Sequence, residues 1–348
     1  MSVVLVVTSA PPLVEGGHLV IARALERALI DAGHRAAVVT TPSNRFGRQA
    51  SAYLANWLTD VGQTGDGVAV DQVISLRYPS YAVRHPRHVC WLNHTMREYY
   101  DLWESFSSRL SPQGRIKEGV RRRLMHAADN YLLKHHVTRV YAQSDTVRQR
   151  LERWNRLNAE VLYPPPPPRA YRCTGYEGFL FVASRLAPLK RMDLIVRALA
   201  EPTAAHVRCV IGGDGDARPS LEALAHSLGV SARIQFTGYL PDDALLDYLG
   251  RCRGVVFVPE REDYGFVTVE AFASGKAVIT TSDSGGPAEL VRDAANGFVV
   301  APTPAAVAQA MATLYADAAL AERLGHQGRA DTAHLTWPAT VARLLAGS

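Results

Sequence analysis

Lysine is scarce in this 348-residue chain: Lys117, Lys134, Lys190 and Lys276 are the only four among 38 cations. The other cations are arginine, a planar, always-charged fork suited to anions, though a GC-rich genome would also account for the bias. Cysteine is equally sparse. Cys90, Cys173, Cys209 and Cys252 lie far apart with no CxxC pair, which excludes a zinc ribbon or a disulfide framework and fits a reducing compartment. The longest near-apolar run, Ser2 to Leu13, falls short of the ~20 residues of a spanning helix and lacks the leader and cleavage site of a signal peptide. A cytoplasmic protein is therefore expected. No GK[ST] phosphate loop occurs, and no GxGxxG follows the first apolar run. What remains is ordinary: 47% hydrophobic and 20% charged residues, a mean hydropathy of −0.06 and a net charge of +5, the profile of a folding chain of about two domains. The densest charge is Arg115, Lys117, Arg121, Arg122 and Arg123 on a segment of helical spacing. It reads either as a solvated face or as a patch for an anionic lipid or acceptor. Nucleic acid is disfavoured, since no aromatic residues interleave with these cations.

Val3–Thr8 is a β-branched run of the kind buried in parallel sheets. After the loop Ser9–Gly17, Leu19, Ala22, Leu25, Ala28 and Leu29 recur at helical spacing, and Ala36–Thr40 reads as the next strand. Further strands are predicted at Asp71–Leu76, His88–Leu92, Arg139–Gln143 and Glu160–Tyr163, with helices at Arg97–Phe106, Ile116–Leu133 and Asp145–Trp154. Five prolines, Pro164–Pro168, can enter neither helix nor sheet interior. Beyond them the alternation restarts, with strands at Phe179–Ala183, Val207–Ile211, Ile234–Phe236, Val255–Val258 and Ala277–Thr281. Helices are predicted at Met192–Ala200, Pro219–Leu228, Asp242–Leu249 and Val267–Ser274. The tail from Ala305 reads as helical, restarting at Trp337 beside Pro338. The division expected is 1–168 and 169–335, two doubly wound α/β domains facing across a cleft, with residues 336–348 forming a last helix that packs back on the first domain.

Three loops in the second half carry chemistry. Ser184-Arg185-Leu186 with Lys190-Arg191 follows a strand, and Arg185 and Lys190 there suit a diphosphate, one cation per phosphate. Glu262 and Glu270 flank the Gly265 turn that opens a helix, where carboxylates accept hydrogen bonds from sugar hydroxyls and free amides face an anion. Asp283-Ser284-Gly285-Gly286-Pro287 offers consecutive glycines for close backbone approach to a ligand.

Together these motifs resemble the retaining glycosyltransferases of family 4, with their two-domain GT-B architecture. The resemblance runs from Gly16-Gly17, through Ser184-Arg185-Leu186 with Lys190, Gly212-Gly213-Asp214-Gly215 and Phe236-Thr237-Gly238, to Glu262, Glu270 and Asn296-Gly297-Phe298. It implies that Arg185 and Lys190 hold the donor diphosphate, that Glu262 faces the donor sugar and that Glu270 takes the ribose hydroxyls. Gly16 and Gly17 belong to a loop closing over the diphosphate, Gly238, Tyr239 and Leu240 read the base, and Gly265, Phe266 and Val267 meet sugar and phosphate. His94 resembles the histidine beside the donor sugar; Arg97 and Tyr99 stand on the acceptor side. Ser184 departs from the family's usual glycine.

The reaction so implied moves a sugar from a UDP- or GDP-linked donor to an acceptor hydroxyl with retention, without cofactor or metal. Asp214-Gly215-Asp216 looks like a metal-binding Asp-x-Asp, but it sits in a glycine turn already served by cationic diphosphate ligands. Partners expected are the nucleotide sugar, the acceptor and an anionic membrane touched peripherally at its inner face through Arg115–Arg123. The rivals are a catalytically silent partner subunit of the same fold and a dinucleotide-dependent oxidoreductase.

Overall fold

The computed structural model describes residues 1–10, 16–42 and 46–346, so the middle of the loop expected at Ser9–Gly17 lies outside the described residues. The chain forms two compact units, residues 1–167 with 335–348, and residues 168–334.

The first unit is built on a six-stranded parallel sheet of β1 (Val3–Ala10), β2 (Arg35–Pro42), β3 (Gln72–Ser75), β4 (His88–Leu92), β5 (Arg139–Ala142) and β6 (Glu160–Val161), in the order β2-β1-β3-β4-β5-β6. β1 is buried along most of its length, as a central strand covered on both faces must be. It pairs with β2 from Val3↔Arg35 to Ala10↔Pro42 and on its other side with β3. The chain order reverses between β1 and β3, which makes the carboxyl ends of those strands the ligand-binding position of such a sheet.

Three local expectations are corrected in this unit. The helix predicted at Arg97–Phe106 is a single tight turn, Arg97–Tyr99, followed by a short helix, Trp103–Ser107. The adjacent Tyr99 and Tyr100 donate to Glu118 and Asp129, eleven residues apart on one helix, a span of about 16 Å that two successive helical positions cannot serve. The stretch Asp145–Trp154 begins as an α-helix, Asp145–Arg150, and widens into one π turn, Leu151–Asn155. Helix Gln49–Leu58 was not foreseen, because two of its three buried residues, Gln49 and Asn56, are polar and hide the apolar period.

Helix Trp337–Ala346 belongs to this unit. Trp337 Nε1 donates to the Pro166 carbonyl at 3.0 Å, and the carbonyls of Leu344 and Arg343 accept from Gln72 and Tyr141 at 2.9 and 3.1 Å.

The second unit holds β7 (Leu180–Ala183), β8 (Cys209–Gly212), β9 (Ile234–Gly238), β10 (Gly254–Val256), β11 (Val278–Thr281) and β12 (Gly297–Val300), all parallel, in the order β12-β11-β10-β7-β8-β9. This is the dinucleotide-fold order, reversing between β7 and β10. β12 was read only as an Asn-Gly-Phe motif; it is a four-residue edge strand beside β11. The helix Met192–Ala200 buries Met192, Leu194, Ile195, Val196, Ala198 and Leu199. Those side chains join Leu180, Val182, Val256 and Ile279 in one core.

Candidate active site

In the second unit the loops after β7 and β10 leave the sheet on either side of its reversal. The loop after β7 is shaped from beneath by the glycine turn after β8. Ser184 N donates to Gly212 O at 3.0 Å and Leu186 N to Asp214 O at 2.9 Å. A Cβ on Gly213 would lie 1.9 Å from Ser184 O, and one on Gly215 would lie 2.4 Å from Leu186 O. Both have positive φ, +124° and +155°. The glycines let backbone pack on backbone, and Arg185 is thereby held outward, exposed and without a side-chain partner among the described residues.

Lys190 behaves differently. Its Nζ lies 2.6 Å from Glu262 Oε2 and 5.5 Å from the Phe257 ring centroid, and both partners of the ion pair are about four-fifths buried. The reversal point thus carries a cation and a carboxylate side by side, one suited to a phosphate oxygen and the other to a sugar hydroxyl.

Glu262 is fixed by its backbone. Its N–H donates to Ser284 O at 2.8 Å and its carbonyl accepts from Gly286 N at 3.0 Å. A Cβ on Gly285 would meet Glu262 O at 2.4 Å, and one on Gly286 would meet Tyr264 Cα at 2.5 Å. The consecutive glycines read as an approach to a ligand are in this structure an approach to the Glu262 turn. Asp283 is likewise engaged within the protein. Burial alone would raise its carboxyl, but hydrogen bonds from Arg191 and Thr281 outweigh that and hold it below the usual range. Arg191 also donates to the carbonyls of Val258 and Pro259 at 2.9 and 2.7 Å. It is a clasp joining three loops, a role that its place beside Lys190 in the sequence does not announce.

Glu270 lies inside the helix Phe266–Ala273, whose N-cap Gly265 has φ +81° and makes no side-chain cap bond. Its carboxylate is buried and accepts from Arg169 Nη1 and, at 3.0 Å, from Tyr171 Oη. Burial raises its pKa, and Arg169 and Tyr171 offset part of that rise. Arg169 also pairs with Asp242 at 2.9 Å. Neither Arg169 nor Tyr171 was foreseen; their only signal is their position directly after the proline run. Gly238, with φ +75°, accepts from Gly213 N at 2.7 Å, and Leu240 packs over Gly212, while Tyr239 is 79% exposed. Gly265 packs on Phe257 and Pro287, and Phe266 and Val267 follow it in the first helical turn.

In the first unit, Gly16 precedes and Gly17 opens the helix Gly17–Asp31 after β1, and His94 follows β4 with its Nδ1 2.7 Å from Thr95 O. His18, unremarked in the sequence, adjoins them. Burial holds it down to about 3, with Arg77 and His94 adding to the effect, so its imidazole is neutral at physiological pH. The two residues assigned to the acceptor side are engaged internally. Arg97 pairs with Asp101 at 2.7 Å. Tyr99 has no exposed surface and donates to Glu118 at 2.5 Å, which makes it part of the core rather than a contact surface. Asp214 and Asp216 are exposed, Asp214 accepting from Gly215 N at 2.8 Å. No group of three or more His, Cys, Asp or Glu suited to a metal occurs among the described residues.

Comparison with known proteins bears on the fold and on the second unit's family resemblance. Residues 174–331 match the family described as glycosyl transferases group 1. A D-inositol 3-phosphate glycosyltransferase of Nocardia farcinica is 35% identical over 180 residues, 49% of this chain and 40% of that protein. An alpha-D-kanosaminyltransferase of Streptomyces kanamyceticus is 32% identical over 144 residues, 40% of this chain and 37% of that protein. The chain thus spans about two-fifths of the length of these curated relatives. Among solved structures, WaaG, a glycosyltransferase involved in lipopolysaccharide biosynthesis, superposes with a TM-score of 0.71 over 99% of this chain and 98% of its own at 16% identity. A glycosyltransferase from Rickettsia africae gives 0.71 over 98% and 97% at 17% identity. The fold is that of the GT-B glycosyltransferases.

Proposed function

We propose that this chain is a retaining glycosyltransferase of the family 4 type, taking a sugar from a UDP- or GDP-linked donor to an acceptor hydroxyl. The observation that carries the reading is the ion pair Lys190–Glu262 beside the unpartnered Arg185, on the two loops that flank the strand-order reversal. Arg185 and Lys190 receive the diphosphate, and on its arrival Glu262 is released from its ammonium to the sugar. Glu270 keeps the ribose hydroxyls. As the bond from the anomeric carbon to the diphosphate oxygen breaks, the two cations stabilise the charge gathering on that oxygen. The same oxygen takes the acceptor's proton while the acceptor oxygen bonds to the anomeric carbon from the same face. Because these side chains supply the positive charge, transfer proceeds without a divalent metal. The cytoplasm is the compartment, with peripheral contact at an anionic membrane.

The test is a thermal-shift screen of UDP- and GDP-sugars followed by an assay of donor hydrolysis in excess chelator. A ligand that binds only the folded state raises its apparent stability. At least one donor should do so and be slowly hydrolysed. Stabilisation without turnover would identify a silent partner subunit, and loss of turnover on chelation, restored by magnesium, would overturn the metal-free mechanism.

A further inference from the structure

The second unit encloses a cation that sugar transfer leaves unused. Lys276 follows the helix Phe266–Ala273 just after Gly275 and has no exposed surface. It forms no ion pair with a carboxylate among the described residues. Its Nζ donates to the Gly175 carbonyl and, at 3.2 Å, to Cys173 Sγ, and lies 3.9 Å from the Tyr176 ring centroid. A fully buried ammonium calls for a counter-charge. Tyr176 does not give one: its hydroxyl donates to Gly275 O at 2.9 Å, and burial holds it well above its ordinary range as a neutral phenol. The sulfur of Cys173 can.

Cys173 is unlike the other three thiols. Cys90, Cys209 and Cys252 are buried, and burial pushes each of them up to about 12. Cys173 is partly exposed, and although burial works against its charged form, Tyr176 and Lys276 outweigh that and hold the thiol below its ordinary range. The pair also shares its chain segments with Glu270. Cys173 comes shortly after Arg169 and Tyr171, and Lys276 shortly after Glu270, so the Cys173–Lys276 contact and the contacts of Arg169 and Tyr171 with Glu270 join the same two stretches. The first stretch, residues 168–179, has no helix or strand of its own. A Cβ on Gly275 would lie 3.6 Å from Cys173 Cβ, so the two stretches are packed closely at the sulfur.

We propose that Cys173 is a peroxide-sensitive thiolate whose oxidation loosens the hold of Arg169 and Tyr171 on Glu270. The thiolate sulfur attacks one oxygen of hydrogen peroxide, the O–O bond breaks, and the other oxygen leaves as hydroxide, which takes a proton from solvent to become water. Sulfur gives up two electrons and the peroxide receives them. The product is a sulfenic acid, which a thiol reductant reverses. Its added oxygen comes between sulfur and the Lys276 ammonium, and the irregular stretch that carries Arg169 and Tyr171 shifts to admit it. The effect on the donor rests on the proposed role of Glu270 toward the ribose; the thiol chemistry does not.

The test begins with alkylation of the folded full chain by iodoacetamide at neutral pH, each cysteine followed by mass spectrometry. Cys173 should react at least about tenfold faster than Cys90, Cys209 and Cys252, and Lys276→Met should slow it at least about tenfold, the change in thiolate for one unit of thiol pKa. The comparison among the four wild-type cysteines needs no variant and guards against a folding defect in Lys276→Met. Hydrogen peroxide should make Cys173 reactive to dimedone. Without dimedone it should raise donor KM about fivefold or more, the scale for losing one hydrogen bond of about 1 kcal/mol, and dithiothreitol should reverse the rise. Cys173→Ser should begin at the wild-type KM and ignore peroxide. Four results would each overturn the proposal: Cys173 no faster than the buried three, undiminished alkylation in Lys276→Met, oxidation of Cys173 with donor KM unchanged, or an equal rise of KM in Cys173→Ser. An untreated chain with no donor turnover would overturn the glycosyltransferase reading instead, and the alkylation rates would still decide the thiol.

Discussion

Arg185 in the second unit and Arg122 in the first show how differently the two regions use the same side chain. Arg185 is held outward by backbone packing beneath it and keeps all its donors available. Arg122 is enclosed by Trp103 and Trp154 and spends its Nε on a backbone carbonyl. The contrast extends to their surroundings. In the second unit glycines and the Arg191 clasp fix the loops, so that Arg185 stays unpaired among the described residues and Lys190 and Glu262 pair with each other. In the first, Tyr53, Tyr81 and Tyr100 converge on the buried Asp129, whose pKa is raised by burial although all three hydroxyls work against the rise. Rigidity comes from backbone contact in one region and from consumed polar side chains in the other, and only the first arrangement leaves charge to act with.

The largest expected effect breaks the comparison at its functional end. Lys190→Ala should lower kcat/KM by about a hundredfold or more, the scale for losing one preorganised charge on a leaving group, with the fold intact by circular dichroism. Near-normal transfer would remove Lys190 from the diphosphate site. Gly213→Ala tests whether packing holds Arg185 in place. A methyl 1.9 Å from Ser184 O must displace that loop, so nucleotide affinity by calorimetry should fall at least about tenfold, the equivalent of ~1.4 kcal/mol; unchanged affinity would show the packing to be incidental.

Arg169→Met sharpens the role of Glu270. Burial raises that carboxyl and Arg169 pulls it back, so removing the guanidinium raises it further. The charged form, proposed to accept ribose hydroxyls, is then lost at a higher pH as the medium is acidified. Donor KM, followed from about pH 8 down to about pH 5, should begin to climb at a higher pH than in wild type, with kcat little changed. An unshifted profile would reduce Arg169 to scaffolding.

The first unit offers a test of its own. His88 is buried and held down to about 3, burial being the main cause and His85 adding to it. The unfolded chain therefore binds a proton that the native one refuses between about pH 6.5 and 3, so stability present above that window is lost as pH falls through it. Replacing it by glutamine should flatten the acid limb of the stability curve by up to about 1.4 kcal/mol per pH unit. Denaturant midpoints across that window would measure it. The smallest effect expected is that of Tyr99→Phe. Glu118 keeps Arg121, so the loss should be about 1 kcal/mol with transfer unchanged; a large fall in turnover would return Tyr99 to the acceptor side.

The same contrast accounts for what could be read in the sequence. The helix Met192–Ala200 and the strand His88–Leu92 fall where periodicity sets them, because each is decided by its own apolar pattern. Arg185, Lys190, Glu262 and Glu270 stand out as candidates because short motifs set them relative to glycine turns. Arg169 and Tyr171, 101 and 99 residues from Glu270, make a contact that no local pattern announces. Arg97 and Tyr99 were read as available because sequence reports a side chain's chemistry and not whether a neighbour has already claimed it. Helix Gln49–Leu58 went unseen for a related reason, since its buried polar residues answer to tertiary partners.

The helix Trp337–Ala346 gives the first unit a seam between the two ends of the described chain, with Gln72, Tyr141 and Pro166 waiting on residues from the far side of an entire intervening unit. During synthesis the ribosome delivers everything the second unit needs before it delivers this closing piece. The second unit can therefore reach its native state while the first is still incomplete at the surface those three residues form. A stall or nick just after His334 would leave a finished second unit attached to an unfinished first one, and quality control would meet the defect in the first unit although the break lay beyond the second.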